Sequence, residues 1–121
     1  MKRILLVEDD DGIRENTSEL LELANYIVLS AVNGAEGLNT ALKEIPDLIL
    51  CDILMPEIDG YHLLEILRQE TCFKSTPFLF FTASAEKSDI QKGLNAGAND
   101  YIIKPYDADE LINLIAKYLG E

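Results

Sequence analysis

Basic residues are scarce. Ten Lys and Arg stand against 22 Asp and Glu, giving a formal net charge of -12 at pH 7. Phosphate backbones and anionic lipids are repelled by such a chain, and no Lys/Arg cluster or amphipathic basic helix interrupts the excess, so direct nucleic-acid and membrane-surface binding are excluded as expectations. Small cations and basic protein surfaces are the natural partners. Cysteine is rarer still: Cys51 and Cys72 are the only two, too few for a disulfide framework. Long hydrophobic runs are also missing. The apolar stretch of the N-terminal MKRILLVEDDD is too short for a signal peptide or a membrane span, and acids end it at once. A reducing, cytoplasmic setting follows as the expectation. What remains is an ordinary globular composition, with 48% hydrophobic residues in 121, which predicts one domain spanning residues 1–121 with a normal core.

Hydrophobic patterning alternates between two periods. Lys2 to Val7 is a short branched apolar run that ends in Glu8, Asp9, Asp10 and Asp11, as a buried strand entering a polar loop would. Ile13, Thr17, Leu20, Leu21 and Ala24 then recur at helical spacing, with Arg14, Glu15, Glu19 and Glu22 on the other face and Asp10 or Asp11 placed to cap. Ile27 to Ala31 reads as a second strand, followed by a helical stripe of Ala35, Leu38, Ala41, Leu42 and Ile45 that Pro46 closes. Asp47 to Asp52 holds the continuous run Leu48 to Cys51, expected of a parallel strand covered on both faces.

After the turn at Asp59-Gly60, Leu63, Leu64, Ile66 and Leu67 form a third helical stripe, and Pro77 to Phe81 a fourth strand with proline as its first residue. A helix beginning at Ser84 or Ala85 contains Ile90 and Leu94 and stops at Gly97. Tyr101 to Ile103 is the fifth strand, and Asp107 caps a last helix bearing Leu111, Leu114, Ile115, Tyr118 and Leu119. Five strands alternating with five helices predict an α/β fold: a doubly wound five-stranded parallel sheet in the flavodoxin-like order 2-1-3-4-5, with helices on both faces.

In such a sheet, functional groups collect beyond the C-terminal strand ends, near the point where strand order reverses. Glu8 and Asp9, Asp52, Thr82 and Lys104 each follow an apolar run and should therefore converge. Two carboxylates held close repel unless a proton or cation intervenes. Oxygen donors without cysteine or histidine suit Mg2+, with Mn2+ as a substitute, better than zinc. Lys104 adds a point charge and Thr82 a hydroxyl, a set that suits a phosphoryl group attacked by the Asp52 carboxylate, with an acyl phosphate as product.

The order and spacing of ILLVEDD at residues 4–10, DILMP at 52–56 with Asp59-Gly60, Thr82-Ala83, and the stretch from Gly97 to Pro105 strongly resemble the receiver domain of two-component response regulators over essentially the whole chain. The resemblance implies Asp52 as phosphoacceptor, Asp9 as direct magnesium ligand, Glu8 as a second acid acting through water, and the backbone carbonyl of Leu54 as a further ligand. It also implies Thr82 as switch hydroxyl, Lys104 as ion-pair partner, Tyr101 as aromatic switch residue, and a cis Lys104–Pro105 bond. Glu8 stands where Asp is frequent and Leu54 where some members carry a polar residue; metal binding is expected to survive both, and Leu54 leaves phosphate lifetime open.

The implied function is a signalling switch that accepts a phosphoryl group from phosphohistidine on a sensor histidine kinase or histidine phosphotransfer protein. It would be read through the face of helix 4, strand 5 and helix 5 by a downstream target or an output domain outside this chain, as monomer or phosphorylation-dependent dimer. Turnover of a metabolite is not expected. The alternatives are a Mg2+-dependent aspartyl-phosphate phosphatase or phosphotransferase, disfavoured by Leu54 at the offset of the second acid, and a flavodoxin-like electron carrier, whose flavin phosphate the first acidic loop would repel. His62, outside the cluster, is expected on solvent or packed on the third helix.

Overall fold

The computed structural model describes residues 1–83 and 86–121. Five parallel strands, β1 (Arg3–Val7), β2 (Ile27–Ala31), β3 (Leu48–Asp52), β4 (Phe78–Thr82) and β5 (Asp100–Ile103), alternate with α1 (Asp11–Leu23), α2 (Gly34–Glu44), α3 (Gly60–Arg68), α4 (Lys87–Asn95) and α5 (Ala108–Leu119). The sheet order is β2-β1-β3-β4-β5, as the alternation predicts. A short 3-10 turn at Thr71–Phe73, not foreseen, buries Phe73 after α3.

Strand side chains point alternately to two faces, which divides the core in two. Leu5, Val7, Ile49, Cys51, Phe78 and Phe80 pack with Ala41 of α2 and Leu63, Leu64 and Leu67 of α3. Ile4, Leu6, Leu48, Leu50, Leu79, Phe81 and Ile102 pack with Leu21 of α1 and Leu111 and Ile115 of α5. Each fully buried Leu, Ile or Phe contributes about 1.5–3 kcal/mol, so this double layer is the rigid platform for the loops beyond it. All five residues of β3 are buried, consistent with its central place.

Two expectations are corrected, the α2 stripe and the start of β4. In α2 the inward face holds Gly34, Gly37 and Ala41, whereas Ala35, Leu42 and Ile45 are exposed. The helix lies so close to Val7 of the sheet and to Ile58 of the segment after β3 that glycines occupy the contacts, and an apolar-stripe reading cannot see a glycine as core. In α4, Leu94 is exposed and Gly93 is buried against the Phe80 ring for the same reason. Pro77 precedes β4 instead of opening it, its carbonyl accepting from Ile49 N–H at 2.9 Å. The expected α4 start at Ser84 or Ala85 lies outside the described residues; the helix is described from Lys87. Gly97, with φ +113°, follows the end of α4 as expected. Cys51 is buried and Cys72 exposed, both as free thiols.

Candidate functional site

Local sequence chemistry sets the loops at the C-terminal strand ends. Asp10 caps α1, its Oδ1 accepting from Ile13 N–H at 3.0 Å, and Asp59 caps α3, its Oδ1 accepting from His62 N–H at 2.9 Å. Asp107 caps α5 through Asp109 N–H at 3.1 Å. Parallel pairing runs one residue beyond the strands: Glu8 N–H donates to Ala31 O at 3.1 Å and Lys104 N–H to Thr82 O at 2.7 Å. The side chains of Glu8 and Lys104 therefore leave the sheet from fixed points. The Lys104–Pro105 peptide is cis, as the resemblance implies.

These fixed points bring together the residues expected from the sequence. Glu8 is fully buried, and Asp52 and Thr82 are buried at 8% and 1% exposure, while Asp9 stands at the solvent side. Glu8, Asp9 and Asp52 each offer an oxygen within 4.8 Å of the others. Lys104 Nζ lies 2.7 Å from Glu8 Oε1 and 3.3 Å from Asp52 Oδ2, and 4.6 Å from the centroid of the Phe81 ring. The second Glu8 oxygen accepts from Asp10 N–H at 3.3 Å.

Three carboxylates against one ammonium leave an electrostatic deficit. Partial burial pushes the Asp9 carboxyl above its ordinary value, and the hydrogen bond and charge of Glu8 push it the same way, against weaker opposition from backbone donors and Lys104. Burial pulls Lys104 down, yet the hydrogen bond it donates to Glu8 and the charges of Asp52 and Glu8 outweigh it and raise the ammonium above its usual value. The cation is held charged and Asp9 remains under-compensated. An all-oxygen donor set with this deficit fits a hard divalent ion such as Mg2+.

Thr82 pairs in register with Ile103, one residue before Lys104, and shares with Ile53, Leu54, Tyr61 and Asp89 the lining of a cavity of about 50 Å³. The side chain of Leu54 is 72% exposed. Tyr101 lies on β5 opposite Phe80, half-buried against the core on the α2–α3 side. His62 is exposed on α3, one of the two settings foreseen for it. A wider open cleft of about 520 Å³, lined by Ile13, Asn16, Ala83, Lys104, Pro105 and Tyr106, runs between α1 and the segment following β5.

Two contributors escape sequence reasoning. Arg14, expected on the solvent face of α1, folds back so that its Nη1 donates to the Glu8 carbonyl at 2.9 Å, bracing the acidic loop from behind. Buried Thr17 bonds the Tyr106 hydroxyl, tying α1 to the segment after Lys104. An arginine at a helical i, i+1 offset from polar neighbours carries no local mark of such a role, and the Thr17–Tyr106 pair spans 89 residues of sequence.

A family model described as response regulator receiver domain matches residues 4–116. The chain is 38% identical over 112 residues to the DNA-binding dual master transcriptional regulator RpaA of Synechocystis, covering 93% of this chain and 46% of that protein. It is also 38% identical over 119 residues to the transcriptional regulatory protein HprR of Escherichia coli, covering 98% and 52%. The chain thus spans about half the length of these curated relatives. Among solved structures, one described as a putative response regulator from Chloroflexus aurantiacus superposes with TM-score 0.94 at 38% identity, over 99% of this chain and 98% of that one. The receiver domain of sensor histidine kinase PA1611 from Pseudomonas aeruginosa, with magnesium coordinated in its active site cleft, superposes with TM-score 0.92 at 30% identity, over 99% and 98%.

Proposed function

Because the chain belongs to the response regulator receiver domain family, we propose that it is a phosphorylation-controlled signalling switch whose phosphoacceptor is Asp52. The observation that carries this reading is the gathering of the Glu8, Asp9 and Asp52 carboxylates within 4.8 Å, with Lys104 Nζ 3.3 Å from Asp52. An Asp52 oxygen attacks the phosphorus of a phosphohistidine on a sensor kinase or phosphotransfer protein. The P–N bond breaks, its electron pair stays on the imidazole nitrogen, and Asp52 becomes an acyl phosphate. Lys104 then has a phosphoryl oxygen to pair with, and the Thr82 hydroxyl donates to another.

Glu8, Asp9, Asp52 and the carbonyl of Leu54 would hold Mg2+, or Mn2+ in its place, which supplies charge neutralisation of the phosphoryl oxygens. The magnesium-bound cleft of the PA1611 receiver supports that choice. Phosphorylation adds charge and acceptor oxygens at the buried centre, and the response is read at the α4–β5–α5 face, where Tyr101 is the switch residue. A groove of about 530 Å³ on that face, between Asp100, Tyr101, Glu110, Asn113, Leu114 and Lys117, supports a protein reader. That reader is a downstream target or an output domain, and phosphorylation-dependent dimerisation would use the same face. Among the described residues no helix is long and apolar enough to cross a membrane, in keeping with a role in the cytoplasm. The phosphatase reading loses ground at the exposed, non-acidic side chain of Leu54.

Incubation with Mg2+ and acetyl phosphate, followed by intact mass measurement, is the test. The wild-type protein gains about 80 Da, the mass of one phosphoryl group, and Asp52→Ala gains nothing. A magnesium-loaded wild-type protein that stays unmodified, or equal labelling of the variant, overturns the assignment.

A further inference from the structure

We propose that Gly34, the first residue of α2, is a positioning residue for the candidate metal site, acting through the segment from Ile53 to Asp59. The proposal rests on the reading of Glu8, Asp9, Asp52 and the Leu54 carbonyl as the metal-holding set. A Cβ placed at position 34 would stand 2.2 Å from the Ile58 carbonyl oxygen, 2.8 Å from Ile58 Cβ and 2.9 Å from its Cγ2. The backbone of α2 therefore lies directly on the backbone of the segment that leaves Asp52.

That segment has little room to yield elsewhere. At its far end Gly60 N–H donates to Ile53 O at 2.8 Å, and a Cβ at position 60 would meet Asp52 O at 2.4 Å and Ile53 Cα at 2.9 Å. Between them Glu57 is held in the left-handed region at φ +66°, a conformation that a non-glycine residue keeps only when its surroundings impose it. Asp59 is committed to capping α3. A methyl group at position 34 must move Ile58 by roughly 1 Å to reach ordinary van der Waals separation. With Gly60 fixed at one end, the displacement passes back along the chain towards Leu54.

Gly37 provides the contrast within the same helix. A Cβ there would meet Val7 side-chain atoms at 2.9 and 3.2 Å and Leu63 Cδ2 at 3.4 Å. It would strain the core without pressing on the 53–59 segment. Both substitutions should therefore cost stability, but Gly37 presses only on the flexible ends of side chains, whereas Gly34 presses on the backbone of the 53–59 segment.

The experiment follows backbone amide resonances of the wild-type, Gly34→Ala and Gly37→Ala proteins, first without metal and then through a Mg2+ titration, with thermal unfolding run alongside. In metal-free Gly34→Ala, amides of residues 53–59 shift, and the Mg2+ dissociation constant rises about 10-fold, the usual scale for a residue that orients a ligand. Gly37→Ala lowers the melting temperature but binds Mg2+ as the wild type does. Ile58→Ala removes Cγ2, the side-chain atom beyond Cβ at the same contact, and reports if Gly34→Ala does not fold: Mg2+ binding weakens here too. Wild-type Mg2+ affinity in folded Gly34→Ala or Ile58→Ala overturns the positioning role, as does a loss in both glycine variants that merely tracks stability. A wild-type protein that binds no Mg2+ removes the metal-site reading itself.

Discussion

The two ends of the sheet solve opposite electrostatic problems. At the N-terminal strand ends, charges meet partners: Arg3 pairs with Glu44 at 2.7 Å, and its backbone N–H reaches Asp47 Oδ2 at 2.7 Å. Arg68 donates to the carbonyls of Phe73, Thr76 and Gly97 and to Asn99 Oδ1, stitching α3, the 3-10 turn and the start of β5 together. Tyr118 O–H donates to Asp100 Oδ2 at 2.8 Å, and Tyr26 O–H to Glu121 Oε1 at 2.8 Å. At the C-terminal ends, three acids share one lysine. Stability is concentrated where no chemistry is proposed, and like charge is tolerated where it is.

If that contrast holds, variants at the two ends should behave in opposite ways. Arg68→Met keeps the length of the side chain but strands the carbonyls of Phe73, Thr76 and Gly97, leaves Asn99 Oδ1 with only its Phe78 N–H donor, and should cost about 3 kcal/mol in chemical denaturation with Mg2+ affinity unchanged. A loss below about 0.5 kcal/mol, the range of an ordinary surface substitution, would erase the distinction. Asp9→Asn should do the reverse. Calorimetry should show Mg2+ binding weakened about 10- to 100-fold, while the metal-free melting temperature rises by about 2–4 °C as carboxylate repulsion is relieved. A fall in melting temperature would mean that the acids are already compensated.

Tyr26→Phe is the smallest and carries a pH signature. Burial first, then the Glu121 hydrogen bond and charge, push the Tyr26 hydroxyl from 10.0 up to about 12. A folded-state value raised above the unfolded one stabilises fully below pH 10 and is lost as pH climbs through about 12. The variant should be about 1 kcal/mol less stable near neutrality, and the gap should close across that alkaline window. A gap that persists at the top of the window would assign the loss to packing.

What the sequence reveals follows the range of the interaction. Strand ends and caps are local, and Asp10, Asp59 and Asp107 stand where short-range rules place turns and helix starts. Convergence of Glu8, Asp9, Asp52 and Lys104 is legible because topology carries each strand end to the same edge. The inward faces of α2 and α4 are not legible, since Gly34, Gly37 and Gly93 are core only by virtue of what approaches them. The same limit hides Arg68, whose acceptor Asn99 is 31 residues away, and Arg14, whose acceptor is a backbone carbonyl. Periodicity records which side chains avoid water, not which backbones touch.

The two thiols sit at opposite extremes of access. Cys51 lies inside the central strand next to Asp52, its thiol pushed well above the ordinary value by complete burial and by neighbouring acids, whereas Cys72 is exposed on the 3-10 turn at the far end of the sheet. A thiolate-directed reagent will consume Cys72 on mixing and reach Cys51 only when the central strand opens. The chain thus carries a built-in clock: the lag between first and second modification measures how often the platform beneath Asp52 comes apart, with no residue substituted to install a probe.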